Sequence, residues 1–83
     1  MRGFRDSDRV ILSYYDELSK LSYYEQSNFF WLQYAIACIE IKRFDRAQRY
    51  LDTAYGLIPE DFVPFQINNQ QARFYLESIL CGN

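Results

Sequence analysis

Few side chains in this sequence have the type and spacing to do chemistry. Adjacent carboxylates occur at Asp16 with Glu17 and at Glu60 with Asp61, thiols at Cys38 and Cys81, and four cations gather at Lys42, Arg43, Arg46 and Arg49. There is no histidine, which removes the Ser-His-Asp and Cys-His nucleophile systems and every histidine metal ligand. Neighbouring residues on a helix point apart, so Asp16 and Glu17 cannot work on one substrate, and Glu60 with Asp61 falls between two prolines in a connection. Both pairs read as solvated surface. The glycines Gly3, Gly56 and Gly82 stand alone and cannot build a phosphate-cradling loop. Cys38 lies in an apolar run, where burial raises a thiol's pKa and leaves it inert. The expectation is a chain that is no enzyme, with no catalytic residue, metal or cofactor.

The basic cluster, with Phe44 and Tyr50 interleaved, is the one arrangement that invites a phosphate or RNA. Asp45 and Asp52 dilute it, and the net charge of −2 supplies no positive field to draw in nucleic acid or an anionic membrane. Neither partner is expected. Two aromatic doublets, Tyr14 with Tyr15 and Tyr23 with Tyr24, are better candidates for contact with another protein. Tyrosine buries area while keeping a polar tip, and core packing accounts for at least one ring of each pair.

These side chains must be positioned by helices. Ile11, Tyr14, Tyr15, Leu18 and Leu21 recur at three- and four-residue spacing, with Asp8, Asp16, Glu17 and Lys20 largely elsewhere, predicting an amphipathic helix over 6–21. The period is lost over 22–27, and Ser27 or Asn28 offers the next N-cap. From 29–41 nearly every position is apolar, so the second helix, 28–41, is contacted on several sides; with Gln33 and Glu40 inside it, it is too short and polar for the roughly 20-residue span of a membrane. A third helix, 44–57, carries Phe44, Ala47, Leu51, Ala54 and Ile58 on one side and Arg46, Arg49 and Asp52 on the other. Gly56 and Pro59 stop it. A fourth follows over 65–80, with Gly82 as its terminator. The fold class is all-α, built of antiparallel helical hairpins, and 83 residues make a single domain near the lower limit of independent stability.

Trp31, Tyr34, Ala35 and Cys38, followed by Ala47, Leu51, Ala54 and Pro59, reproduce the spacing of a helix-turn-helix unit of ~34 residues. This pattern resembles the tetratricopeptide repeat over 28–61. Tyr34 stands where the family has leucine, Ala35 where it has glycine, Cys38 where it has tyrosine and Leu51 where it has a larger aromatic; all four keep size class or apolarity. The resemblance implies that small residues at 35, 47 and 54 let two helices approach closely. It also implies a concave wall of Phe29, Leu32, Ile36 and Ile39, suited to a partner helix or hydrophobic peptide, the alternative being that these residues simply contact the neighbouring helix; Tyr14 and Tyr15 are the other expected partner-binding residues. Leu32 and Ile36 do not supply the lysine and asparagine with which some family members clamp a C-terminal carboxylate, so an acidic-tail ligand is not expected.

Ala72 and Tyr75 repeat the small-then-tyrosine step, so the chain reads as half a repeat, a whole one, and another half. Repeats bury their apolar faces against neighbours, and about three are needed for stability. A homodimer, or docking onto a larger helical protein, is therefore expected. Two sparse cysteines and a polar stretch over 1–8 without an apolar run behind it predict a cytoplasmic protein. The phrase Phe30, Trp31, Leu32, Gln33, Tyr34, Ala35, with Phe44, Asp45, Arg46, Ala47, is also similar to helical-repeat tails of large bacterial nucleotide-hydrolysing or sirtuin-like defence proteins. That similarity implies the alternative of a sensor or oligomerisation fragment.

Overall fold

A helix apolar on all sides needs neighbours on all sides, and the chain provides them for its central helix. The computed structural model describes residues 6–59 and 62–82. It is all-α, with α1 Asp6–Ser19, α2 Ser22–Glu25, α3 Asn28–Glu40, α4 Phe44–Gly56 and α5 Val63–Leu80, and no strand among the described residues. The central α3 packs against all four others: α4 most extensively, then α5, α2 and α1. Its N-cap is Ser27, whose side chain accepts from the Phe30 N–H at 3.2 Å.

The α3–α4 pair is antiparallel, as the contact between their far ends shows: Asn28 Nδ2, at the start of α3, donates to the Ala54 carbonyl near the end of α4 at 2.6 Å. The turn between them is a Schellman closure, with Arg43 N–H donating to the Cys38 carbonyl at 2.8 Å and Lys42 N–H to the Ile39 carbonyl at 3.1 Å. Lys42 occupies the left-handed region at φ 65, where a side chain is strained and glycine is not. Ala35, Cys38, Ala47, Leu51 and Ala54 are all buried. Small residues on both helices bring the axes together, and Leu51 fills the remaining space.

Three boundaries differ from the sequence reading. The first helix ends at Ser19, where Leu21 N–H turns back to the Leu18 carbonyl at 3.0 Å. Leu21 is thereby left exposed instead of on the buried face. The stretch expected to be irregular closes one turn, α2, because Tyr24 and Glu25 N–H both reach the Leu21 carbonyl, at 3.0 and 2.9 Å. The last helix starts at Val63, with Pro64 in its first turn, a position where the missing N–H would have no helical partner anyway. Gly82 does end it, at φ 83, with its N–H on the Ile79 carbonyl at 3.1 Å.

One buried cluster draws on α1 (Leu12), α3, α4 and α5 (Ala72, Leu76). Arg73 Nη2 joins Asp52 Oδ1 at 2.9 Å to tie α5 to α4, an exposed ion pair of small energetic weight; Asp45 and Arg49 form none. The fold is a slab of 45 × 34 × 14 Å, thin enough that every helix shows a side to solvent. Its radius of gyration of 13.1 Å exceeds the about 11.8 Å expected for this length.

Candidate partner-binding cleft

Three aromatic doublets converge where α1, α2 and α3 meet: Tyr14 with Tyr15, Tyr23 with Tyr24, and Phe29 with Phe30. In each the second ring turns inward and the first stays exposed. The inward rings share one hub, since Phe30 lies 5.8 Å from Tyr15 and 5.5 Å from Tyr24. Two of the outward rings stand edge-on to their neighbours, Tyr14 at 5.7 Å and 76° and Tyr23 at 5.1 Å and 81°, the arrangement that the ring quadrupole favours. The Trp31 indole N–H donates to the Glu25 carbonyl at 2.7 Å and so fixes the short α2 against α3. Between these walls lies a cleft of about 310 Å³, completed by Leu18, Ser27 and Gln33.

Beneath the cleft a second aromatic layer holds α1 in place. Tyr34, fully buried, stacks on Tyr15 at 4.8 Å and on Tyr50 at 4.1 Å. Its hydroxyl donates to Asp16 Oδ1 at 2.5 Å, while Arg46 Nη1 reaches both the Tyr34 and Tyr50 oxygens at 3.4 Å. Burial, reinforced by the bond to Asp16, pushes the Tyr34 phenol well above its ordinary pKa. Burial and the neighbouring Tyr14 raise Tyr15. Burial opposes the charge on Arg46, but Tyr50, Tyr34, Asp16 and Cys38 together outweigh it and raise its pKa. Tyr15 and Tyr34 therefore keep their phenol protons at physiological pH, and no carboxylate or ammonium lines the cleft. Such a surface suits an apolar ligand with a few uncharged hydrogen-bonding groups.

The residues expected to bind a partner divide into three groups. Tyr14 and Phe29 are exposed at the cleft's rim and Tyr15 forms its wall. Ile36 is half-buried against the core. Leu32 and Ile39 are buried in the core itself, which corrects the reading of a continuous wall from Phe29 to Ile39: α5 packs on α3, and its Ala72 and Leu76 join the same cluster. An apolar face at helical spacing is satisfied by whichever helix reaches it, and here the chain's own last helix does. Phe30, Leu18, Ser27 and Gln33 line the cleft without being expected there, and Tyr23 with Tyr24, the second doublet expected to contact another protein, joins them. The signal was the third doublet, Phe29 with Phe30, following the two tyrosine pairs.

Two further readings are corrected. Asp16 is not simply solvated, being half-buried and bound to Tyr34, and Asp8 is buried. Arg46 leaves the solvated basic face for the tyrosines, although Lys42, Arg43 and Arg49 do gather with it and Asp45 about a concavity of about 390 Å³. Glu60 with Asp61 lies outside the described residues. Among the described residues no helix is long and apolar enough to cross a membrane, and no group of three or more Cys, Asp or Glu side chains is placed to hold a metal ion. No family model, curated protein or solved structure matches this chain.

Proposed function

We propose that this chain is a non-catalytic protein-interaction module of tetratricopeptide type, which captures a peptide or helix of a partner protein in the aromatic cleft between α1, α2 and α3. The observation that carries the reading is the set of three exposed rings, Tyr14, Tyr23 and Phe29, of which Tyr14 and Tyr23 are each backed by the second ring of the same doublet. Exposed aromatic anchors on a rigid base are what interface hot spots are made of, because little side-chain entropy is lost on binding. The burial of Ala35, Ala47 and Ala54 supports the repeat-type hairpin, and two free thiols, Cys38 and Cys81, suit a reducing cytoplasm.

The test is capture of a protein partner by the immobilised chain, compared with a Tyr23→Ser, Phe29→Ser variant. Both side chains are exposed, so the variant keeps its helical circular dichroism, and its affinity falls at least about tenfold. Unchanged capture by a folded variant sinks the cleft assignment. A second reading, the sensor or oligomerisation segment of a larger bacterial defence protein, is favoured by one observation: α5 exposes Val63, Ile67 and Phe74 although it is already packed on its other side.

A further inference from the structure

The contact that holds α1 differs in kind from the one that holds the α3–α4 hairpin together. Ala35, Cys38, Ala47, Leu51 and Ala54, each at most 1% exposed, make the hairpin contact apolar and tight. The side that α1 turns inward carries Asp8, Leu12, Tyr15, Asp16 and Ser19, which fall within about 100° of one another at helical spacing and are all buried or half-buried. Two of these five are carboxylates, whose removal from water costs free energy. Leu12 is buried, but Ile11 and Leu18 are only half-buried and Val10 is exposed. Little apolar area therefore holds α1 down.

The attachment is also narrow. Among the described residues α1 packs on α2 and α3 only, and its hold on α3 is the slightest of any helix in the fold. What Asp16 meets there is polar: the Tyr34 hydroxyl, with Arg46 Nη1 behind it at 3.4 Å from both the Tyr34 and Tyr50 oxygens. Water can satisfy each of these groups when α1 leaves. At the far end of α1, Leu21 stands extended (φ −88, ψ 128) and exposed between α1 and α2. The backbone is thus already broken where a hinge would turn, while the bond from Trp31 to the Glu25 carbonyl keeps α2 on α3. A helix of 14 residues is marginal by itself in water, so α1 loses its helix as it undocks.

We propose that α1 is a separately opening strap, which undocks about Leu21 and melts while α2–α5 stay folded, with the Tyr34–Asp16 hydrogen bond as its latch. Opening takes Tyr14, Tyr15 and Leu18 away from the aromatic cleft, so the cleft is whole only when the strap is closed. A ligand held there draws α1 down onto the hairpin, and its apparent affinity is reduced by the fraction of chains that are open. Strengthening the latch strengthens capture. That bearing on capture rests on the cleft reading, whereas the opening itself is a property of the fold alone.

The experiment is native-state hydrogen exchange on the full chain without ligand, in reducing buffer, with amides resolved by NMR. The α1 amides are expected to exchange as a group, at least about tenfold faster than the slowest amides of α3 and α4. Ile79→Val trims a half-buried α5 side chain packed on the core, in a helix that α1 does not touch. It should speed the slowest α3 and α4 amides about 2- to 10-fold and leave the α1 rates unchanged, because the strap opens without disturbing α5. Tyr34→Phe keeps the ring stack, removes the latch and should speed α1 exchange at least about tenfold. Exchange of α1 no faster than that of α3 and α4, equal acceleration of α1 in Ile79→Val, or α1 rates unmoved by Tyr34→Phe would each overturn the proposal. Each of these outcomes is separate from whether the cleft captures a partner, which the Tyr23→Ser, Phe29→Ser variant decides.

Discussion

The hydroxyl of Tyr34 donates to the Asp16 carboxylate at 2.5 Å across 18 positions of sequence. It is a side-chain hydrogen bond that joins α1 to the α3–α4 hairpin. Tyr34 is wholly buried, and Asp16 is half out of water. The aromatic cleft depends on this bond, because α1 supplies two of its rings.

Tyr34→Phe keeps the ring stack and removes the donor. A hydrogen bond to a charged group contributes about 1.5–3 kcal/mol, and a loss of that size is expected in urea unfolding. Asp16→Asn keeps an acceptor and costs less. A double-mutant cycle isolates the pair; additive losses would show that the two residues are not coupled.

Stability falls at alkaline pH. Tyr34 is raised above its ordinary 10.0 by burial first and the bond to Asp16 second, and burial pushes Cys38 from 9.0 up to about 11. Both groups hold their protons longer when folded, so above pH 9 the unfolded chain binds fewer protons than the native one and the slope of stability with pH is negative. The stabilising contribution is complete below pH 9 and is lost first through Cys38, over about pH 9–11, then through Tyr34 above pH 10. Unfolding midpoints measured from pH 8 upward should decline more gently in Cys38→Ala between pH 9 and 11. An identical slope would remove Cys38 as the cause.

The same burial separates the two thiols. Cys38 is wholly buried and Cys81 is exposed, and thiol reactivity needs an accessible thiolate. A chromogenic disulfide reagent at pH 8 should titrate one thiol promptly in the native chain and the second only in denaturant. Prompt reaction of both would contradict the packing of α3.

Lys42 is the strained residue of the α3–α4 turn, at φ 65. Lys42→Gly removes that strain at the cost of a more flexible unfolded chain, for a net gain of about 0.5–1 kcal/mol. Lys42→Ala keeps a Cβ in the left-handed region and brings no such gain. Urea midpoints of the two variants decide it.

Asn28 clamps the end of α4 through the Ala54 carbonyl at 2.6 Å. Asn28→Ala should cost about 1–2 kcal/mol in thermal or urea unfolding. Asn28→Asp should cost more, since it turns a carboxylate toward a carbonyl oxygen. Equal stability of the aspartate variant would refute the clamp.

The local features of this protein were determined by the sequence itself. Helical spacing, the cap at Ser27, the stop at Gly82 and the small residues at 35, 47 and 54 are short-range facts that each stretch carries unaided, and they suffice for an all-α chain with a central hairpin. The tertiary structure decided which apolar faces are spent. Leu32 and Ile39 have the same character as Phe29 and stand on the same helix, yet α5 folds back onto α3 and the core takes them, while Phe29 stays at the rim of a cleft made with α1 and α2. Asp16 looked like a surface charge because nothing near it in sequence could pair with it. Its partner, Tyr34, comes from another helix, and only packing brings a phenol within hydrogen-bonding distance of a carboxylate 18 residues away.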